Sequence, residues 1–210
     1  MIRVKVCGLL DPRNAEEVAG TGPDFMGFIF YPGSKRFVGH EPDRRLFLQP
    51  PGISKTGVFV NEREDVVLKK ASRFSLDVVQ LHGSETAAYC SAIRSVGLKV
   101  IKAVGVDEQF SFSALNDLAD ACDYFLFDTK TTGYGGSGRR FNWEKIKEYN
   151  GDLPFFLSGG IGPDDVNDIR SIRHTRLFAV DINSRFETEK GIKDPAAVKD
   201  FINNIKFSGI

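Results

Sequence analysis

The sequence predicts an α/β chain folded as a single (β/α)8 barrel over residues 1–210. Three observations carry that prediction. Eight short apolar runs alternate with helical patterns from end to end. Helix-start signals fall between the runs. Polar side chains gather at the C-terminal ends of several runs, where a barrel of parallel strands builds its site.

The first strand is expected over residues 2–7, with Ile2, Val4 and Val6 on one face and Arg3, Lys5 and Cys7 on the other. Asp11-Pro12 then marks a helix, because proline suits the first helical position and aspartate can cap its free N–H groups. Strands follow at 24–30 and 56–60, and Asn61 is expected to cap a helix carrying Val66, Val67 and Leu68. In the fourth strand, 78–81, Gln80 shares a face with His82, away from Val79 and Leu81. Ser84 is expected to cap the next helix, which runs through Cys90 and Ile93. The fifth and sixth strands are expected at 100–104 and 124–127, the sixth closed by Asp128, and Asn142 marks a helix before Trp143. The seventh is expected at 154–157 and the eighth at 177–181, ending on Asp181, with Gly162-Pro163 and Asp194-Pro195 opening the helices after them. Pro50-Pro51-Gly52 is a turn and too short to divide the chain. An open doubly wound sheet is the competing architecture, but it usually has fewer strands.

Composition narrows the function. A chain of 210 residues builds one sizeable core and is too short for two ordinary enzyme domains. With 41% hydrophobic and 27% charged residues it belongs to the globular class. Lys and Arg number 28 against 28 Asp and Glu, so no basic excess points to nucleic acid. The start of the chain enters a strand pattern without a signal core, and no apolar run reaches membrane-spanning length, so no membrane partner is expected. Cys7, Cys90 and Cys122 match no metal spacing and form no even disulfide set, which suits a reducing cytoplasm without a bound metal.

The most informative stretch is Asp128 to Arg140. An acid sits at a strand end, and the glycine-rich loop beyond it, Gly133 to Gly138, is expected to close over a ligand. To serve as an acid, Asp128 must be desolvated enough to keep a proton near neutrality. The G-x-G-x-x-G match in this loop does not open from strand into helix, and Arg139, Arg140 and Phe141 follow it, so a dinucleotide site is rejected. Cys7 reads either as a small buried hydrophobe or as a base or nucleophile. Lys5 on the same face favours thiolate, and Gly8 opens space beside it. Gly159-Gly160 and Asn183-Ser184, after the seventh and eighth strands, are where barrels often bind phosphate. His82 beside Gly83 reads as structural or catalytic. Arg36 reads as a solvated loop cation or as a clamp for a substrate carboxylate. Cys90 and Cys122 receive no role.

Several segments then appear in a particular order: Lys5-Val6-Cys7-Gly8; Gly27-Phe28-Ile29-Phe30-Tyr31-Pro32 with Ser34-Lys35-Arg36; Gly57-Val58-Phe59-Val60-Asn61; and Val79-Gln80-Leu81-His82-Gly83. Ile101-Lys102-Ala103-Val104, Asp128-Thr129-Lys130 with Gly133 to Gly138, Leu157-Ser158-Gly159-Gly160 and Ala179-Val180-Asp181 complete the series. Each is weak alone. Together they resemble the phosphoribosylanthranilate isomerases of tryptophan biosynthesis. The resemblance implies an Amadori rearrangement of N-(5-phosphoribosyl)anthranilate, a small phosphosugar-anthranilate substrate, without cofactor or metal. It makes Asp128 the general acid at the ribose ring oxygen and Cys7 the base at sugar carbon 2. It sets Arg36 against the anthranilate carboxylate and the loops at Gly159-Gly160 and Asn183-Ser184 around the phosphate. Lys5, His82 and Asp181 fall among the substrate-contacting positions. Members are monomers or homodimers. Many members carry a second serine and a glycine after the eighth strand, where this chain has Asn183-Ser184-Arg185-Phe186-Glu187. Two other readings stand beside this one. A related phosphosugar epimerase or histidine-pathway isomerase would have no need of Arg36 for a carboxylate. A barrel that only binds phosphorylated metabolites would not need both Cys7 and Asp128.

Overall fold

The computed structural model describes residues 1–130 and 140–206. The loop from Gly133 to Gly138, expected as a lid, lies outside the described residues. The eight expected strands form as β1 (Arg3–Cys7), β2 (Phe25–Ile29), β3 (Ser54–Phe59), β4 (Val78–Leu81), β5 (Lys99–Val106), β6 (Tyr124–Thr129), β7 (Phe155–Leu157) and β8 (Leu177–Ile182). They pair in sequence order, and β1 pairs in parallel with both β2 and β8, which closes the barrel. Asp128 lies within β6 and Asp181 within β8, one residue short of their ends.

The period of two along each strand sorts side chains into two cores. Inside the barrel Phe25, Val78, Ile101, Ala103, Leu126, Phe156 and Ala179 form a plug. Their neighbours Met26, Val79, Val100, Phe125, Phe155 and Val180 face outward into the larger core beneath the helices. Lys5 and Cys7, further along β1, share the plug's side of the wall and lie towards its C-terminal end, so polar groups crown an apolar floor.

The crossovers carry α1 (Pro12–Ala19), α2 (Glu64–Phe74), α3 (Ala87–Ser95), α4 (Asn116–Ala119), α5 (Val166–Ser171) and α6 (Pro195–Lys206). Asp11 caps α1 through Asn14 N at 2.8 Å, and Asp194 caps α6 through Ala196 N at 2.9 Å. Two expected caps are corrected. α3 is capped by Thr86, whose hydroxyl accepts from Tyr89 N, and not by Ser84. α2 starts after Arg63 without a side-chain cap, while Asn61, at φ 48°, accepts from Ser84 N at 2.7 Å. Asn61 and Ser84 thus tie the β3 and β4 loops together. Asn142 does cap a helical turn, but Trp143–Glu148 winds as 3-10 helix. Another 3-10 turn, Arg44–Phe47, is the helical piece between β2 and β3. It is held by rings: Phe47 lies 4.4 Å from Phe74 and 4.6 Å from Phe28.

The rims differ. At the N-terminal rim Asp24, Asp77 and Asp123 each accept from the backbone of the preceding strand, at Val4, Lys55 and Val100. On the other rim, Glu85 accepts from Asn61 N, Gly83 N and Lys102 Nζ, all in a buried position. Removing one member of a buried ion pair strands the other, at a cost of about 3–5 kcal/mol. Glu85→Ala is therefore expected to lower the unfolding free energy measured by urea denaturation by that amount. A loss below about 1 kcal/mol would assign this pair the weight of a surface contact.

Candidate active site

The inward face of the barrel brings most of the expected residues to one mouth. Lys5 is fully buried on β1, and its Nζ donates to both carboxylate oxygens of Asp181 on β8 at 2.9 Å. Burial opposes charge on Lys5, but Asp181 and, after it, Cys7 together outweigh burial, and the lysine pKa lies above its ordinary value. Lys5 therefore stands as a fixed cation in the floor of the mouth.

Cys7 ends the same strand two residues on and is buried beside Lys5. Gly27 of β2 makes room for it, since a Cβ there would lie 2.7 Å from Cys7 Sγ. Burial pushes the thiol pKa up, and Lys5 pulls it down without winning. The cation acts in the expected direction, but desolvation is the larger effect. The resting thiol is thus protonated, and it is a strong base once ionised.

Asp128 approaches from β6. Its Oδ1 accepts from Thr129 N at 2.8 Å, and its Oδ2 lies 3.5 Å from His82 Nε2. His82 is in turn held by Gln80, whose Nε2 is 2.9 Å from His82 Nδ1. Burial raises the Asp181 carboxyl, Lys5 lowers it, and Asp128 adds to the rise. Asp181 therefore links the two halves of the mouth: it touches Lys5 beside Cys7 and lies within electrostatic reach of Asp128.

The glycine loop after β7 has the geometry that only glycine adopts freely. Gly159 and Gly160 have φ of 90° and 67°. A Cβ on Gly159 would lie 2.5 Å from Thr129 Oγ1 and 3.1 Å from Asp128 Oδ1. The loop thus packs directly on the acid. Arg185 crosses it from the β8 side, with Nη1 3.4 Å from Gly160 O. Ser184 opens a short 3-10 turn at Ser184–Phe186. Asn183 Oδ1 accepts from Lys193 Nζ at 2.7 Å.

Arg36 is not a solvated cation. Its Nε and Nη2 donate to the two oxygens of Glu187, both at 2.6 Å. Glu187 and Lys193 were missed in the sequence reading. They lie on a hairpin after β8, β9 (Glu187–Glu189) with β10 (Ile192–Lys193). Lys193 stands directly before the Asp194 cap, which is the one local signal that its backbone would be held in place.

Among the described residues no His, Cys, Asp and Glu side chains gather in threes as metal ligands would. Among the same residues no helix is long and apolar enough to cross a membrane.

The sequence matches the family of N-(5′-phosphoribosyl)anthranilate (PRA) isomerases over residues 4–204. It is 42% identical over 203 residues to the N-(5′-phosphoribosyl)anthranilate isomerase of Phocaeicola vulgatus, covering 97% of each chain. The crystal structure of the Thermotoga maritima phosphoribosyl anthranilate isomerase is similar with a TM-score of 0.87 at 41% identity, over 98% of this chain and 99% of that one. A second structure is a phosphoribosyl anthranilate isomerase in complex with reduced 1-(o-carboxyphenylamino)-1-deoxyribulose 5-phosphate. It has a TM-score of 0.84 at 38% identity, again over 98% and 99%. A third is described as monomers generated from the dimeric T. maritima enzyme, with a TM-score of 0.84 at 36% identity over 98% and 99%.

Proposed function

The chain belongs to the N-(5′-phosphoribosyl)anthranilate isomerase family, and from that premise we propose how its own residues divide the reaction. The chain is an aldose–ketose isomerase of tryptophan biosynthesis. It converts N-(5′-phosphoribosyl)anthranilate to 1-(2-carboxyphenylamino)-1-deoxyribulose 5-phosphate. Asp128 gives a proton to the ribose ring oxygen, the C1–O bond breaks, and the anthranilate nitrogen's lone pair forms a Schiff base with C1. Cys7 thiolate then takes the proton from C2, and the electrons of that C–H bond pass into the C1–C2 bond to give an enolamine. Protonation at C1, with loss of the C2 hydroxyl proton to solvent, gives the ketone. Arg36 receives the anthranilate carboxylate. The Gly159-Gly160 loop receives the phosphate with Ser184 and the backbone at Asn183. Lys5 and Asp181 form the charged floor between the two proton-transfer groups, and His82 orients Asp128.

The observation that carries this division of labour is the chain of contacts across one mouth, from Cys7 through Lys5 and Asp181 towards Asp128 and His82. Acid and base then act on one pentose, which phosphate and carboxylate anchors hold at its two ends. Every assigned residue comes from one chain, so a monomer and a homodimer both accommodate the site. We assign residues 1–210 to one catalytic barrel that works in the cytoplasm, where its three buried free cysteines meet a reducing medium. Incubating purified protein with freshly formed N-(5′-phosphoribosyl)anthranilate tests the reading. Rapid loss of the anthranilate-type fluorescence is the expected result, and persistence at the spontaneous rate would contradict it.

A pH profile follows from the buried thiol. Only thiolate can accept the C2 proton, and burial raises the thiol pKa above its ordinary value. The fraction of active base thus grows as pH rises. The Cys7-dependent rate of thiol alkylation, taken as the difference from Cys7→Ala, is expected to climb through neutrality with no plateau before the ordinary thiol range. A rate already flat from pH ~6 to ~8 would show a thiol ionised below that range and contradict the buried, protonated resting state.

A further inference from the structure

We propose that Glu187 and Lys193 are positioning residues for Arg36, which they hold so that its end-on edge faces the substrate carboxylate. The inference rests on the assignment of Arg36 above and extends it to the hairpin after β8. A guanidinium has two edges that can grip a carboxylate, side-on through Nε and one Nη, or end-on through both Nη atoms. Glu187 takes the side-on edge with two 2.6 Å bonds. Among the described residues the end-on edge has no acceptor. Glu187 thereby leaves a substrate one way to engage Arg36.

Charge explains Lys193. An Arg36–Glu187 pair alone is neutral and would attract an anion weakly. Lys193 is fully buried, and its Nζ lies 2.7 Å from Glu187 Oε1. Two cations against one carboxylate leave a net charge of about +1, matched to one incoming carboxylate. Burial raises Glu187, but Arg36 and Lys193 outweigh that and keep it ionised.

The hairpin itself is pinned. Lys193 N donates to Asn14 Oδ1 on α1, and Asn14 Nδ2 donates back to Lys193 O, both at 2.8 Å. Lys193 Nζ also reaches Asn183 Oδ1 at 2.7 Å. At the far end of this chain of contacts the Arg36 stem lies across Gly8. A Cβ there would be 2.5 Å from Arg36 Cδ and 2.8 Å from Asn183 Oδ1. Gly8 follows Cys7, so the hairpin fixes the carboxylate anchor relative to the base.

The test compares N-(5′-phosphoribosyl)anthranilate with N-(5′-phosphoribosyl)aniline, which lacks the carboxylate. The quantity read is the ratio of their kcat/KM values in the wild type, Arg36→Met, Glu187→Gln, Glu187→Asp and Lys193→Met. Glu187→Gln and Lys193→Met are expected to lower the ratio about tenfold, mainly through KM for the carboxylated substrate. Glu187→Asp keeps the charge but shortens the reach, so it should fall between wild type and Glu187→Gln. If Glu187→Gln does not fold, the same reading is taken on Glu187→Asp. A wild-type ratio in the Glu187 variants, with a lowered ratio in Arg36→Met, overturns this inference and leaves Arg36 in place. Equal losses on both substrates in the Glu187 variants also overturn it, since they mark a purely structural part. An unchanged ratio in Arg36→Met instead removes the assignment of Arg36 on which the inference stands.

Discussion

Asp128→Asn is expected to slow turnover of N-(5′-phosphoribosyl)anthranilate by ~10²–10⁴-fold, the usual contribution of one positioned proton donor. The substitution keeps the size of the side chain and its acceptor for Thr129 N. It also keeps the surface on which Gly159 packs. What it removes is a proton available to the ring oxygen. Without that proton the C1–O bond must break to an alkoxide, so the defect belongs to kcat. KM should change little, because the phosphate and carboxylate anchors lie on other elements. A loss of less than about tenfold would show that another group, or water, protonates the ring oxygen.

Cys7→Ala is expected to cause a loss of similar size for a different reason. The methyl side chain cannot accept the C2 proton, while Lys5 and Asp181 remain paired beneath it. Removing one buried sulfur costs about 1–2 kcal/mol of stability, so the protein stays folded. The ring-opening step, which depends on Asp128, survives in this variant. Cys7→Ala should therefore still accelerate interconversion of the substrate anomers, and Asp128→Asn should not. Cys7→Ser is expected to be nearly as slow as Cys7→Ala, because a hydroxyl is far harder to ionise than a thiol. Near-normal rates in Cys7→Ala would remove this residue from the base role.

What could be read from the sequence depended on how local each signal was. Apolar runs such as Tyr124-Phe125-Leu126-Phe127 announced strands, because burial on both faces needs continuous apolar residues. Asp11-Pro12 and Asp194-Pro195 announced helices, because a cap and its first turn are neighbours in the chain. Asn61 and Ser84 misled for the same reason. As single residues they look like caps, but they are bonded to each other across 23 positions. The 3-10 winding of Trp143–Glu148 was not legible either, since its apolar pattern suits either helix.

The site followed the same rule. Cys7, Asp128 and the Gly159-Gly160 turn stood out because each closes or follows a strand, and a barrel sends all such positions to one mouth. The Lys5–Asp181 pair spans 176 positions and became visible only when β8 closed on β1. Arg36 was recognised as a cation, but its partner Glu187 is 151 positions away. Nothing local in Phe186-Glu187-Thr188 marks that role. Desolvation was the other hidden quantity. Lys5 beside Cys7 suggests a low thiol pKa in a one-dimensional reading, whereas full burial of the thiol reverses the balance.

The most direct test of the account is a crystal structure of this chain with reduced 1-(o-carboxyphenylamino)-1-deoxyribulose 5-phosphate bound. The account predicts C2 of the analogue within contact of Cys7 Sγ and its C4 hydroxyl, the former ring oxygen, hydrogen-bonded to the Asp128 carboxyl. An analogue seated with Cys7 and Asp128 on the same side of the sugar, or with either one beyond reach of it, would contradict the account.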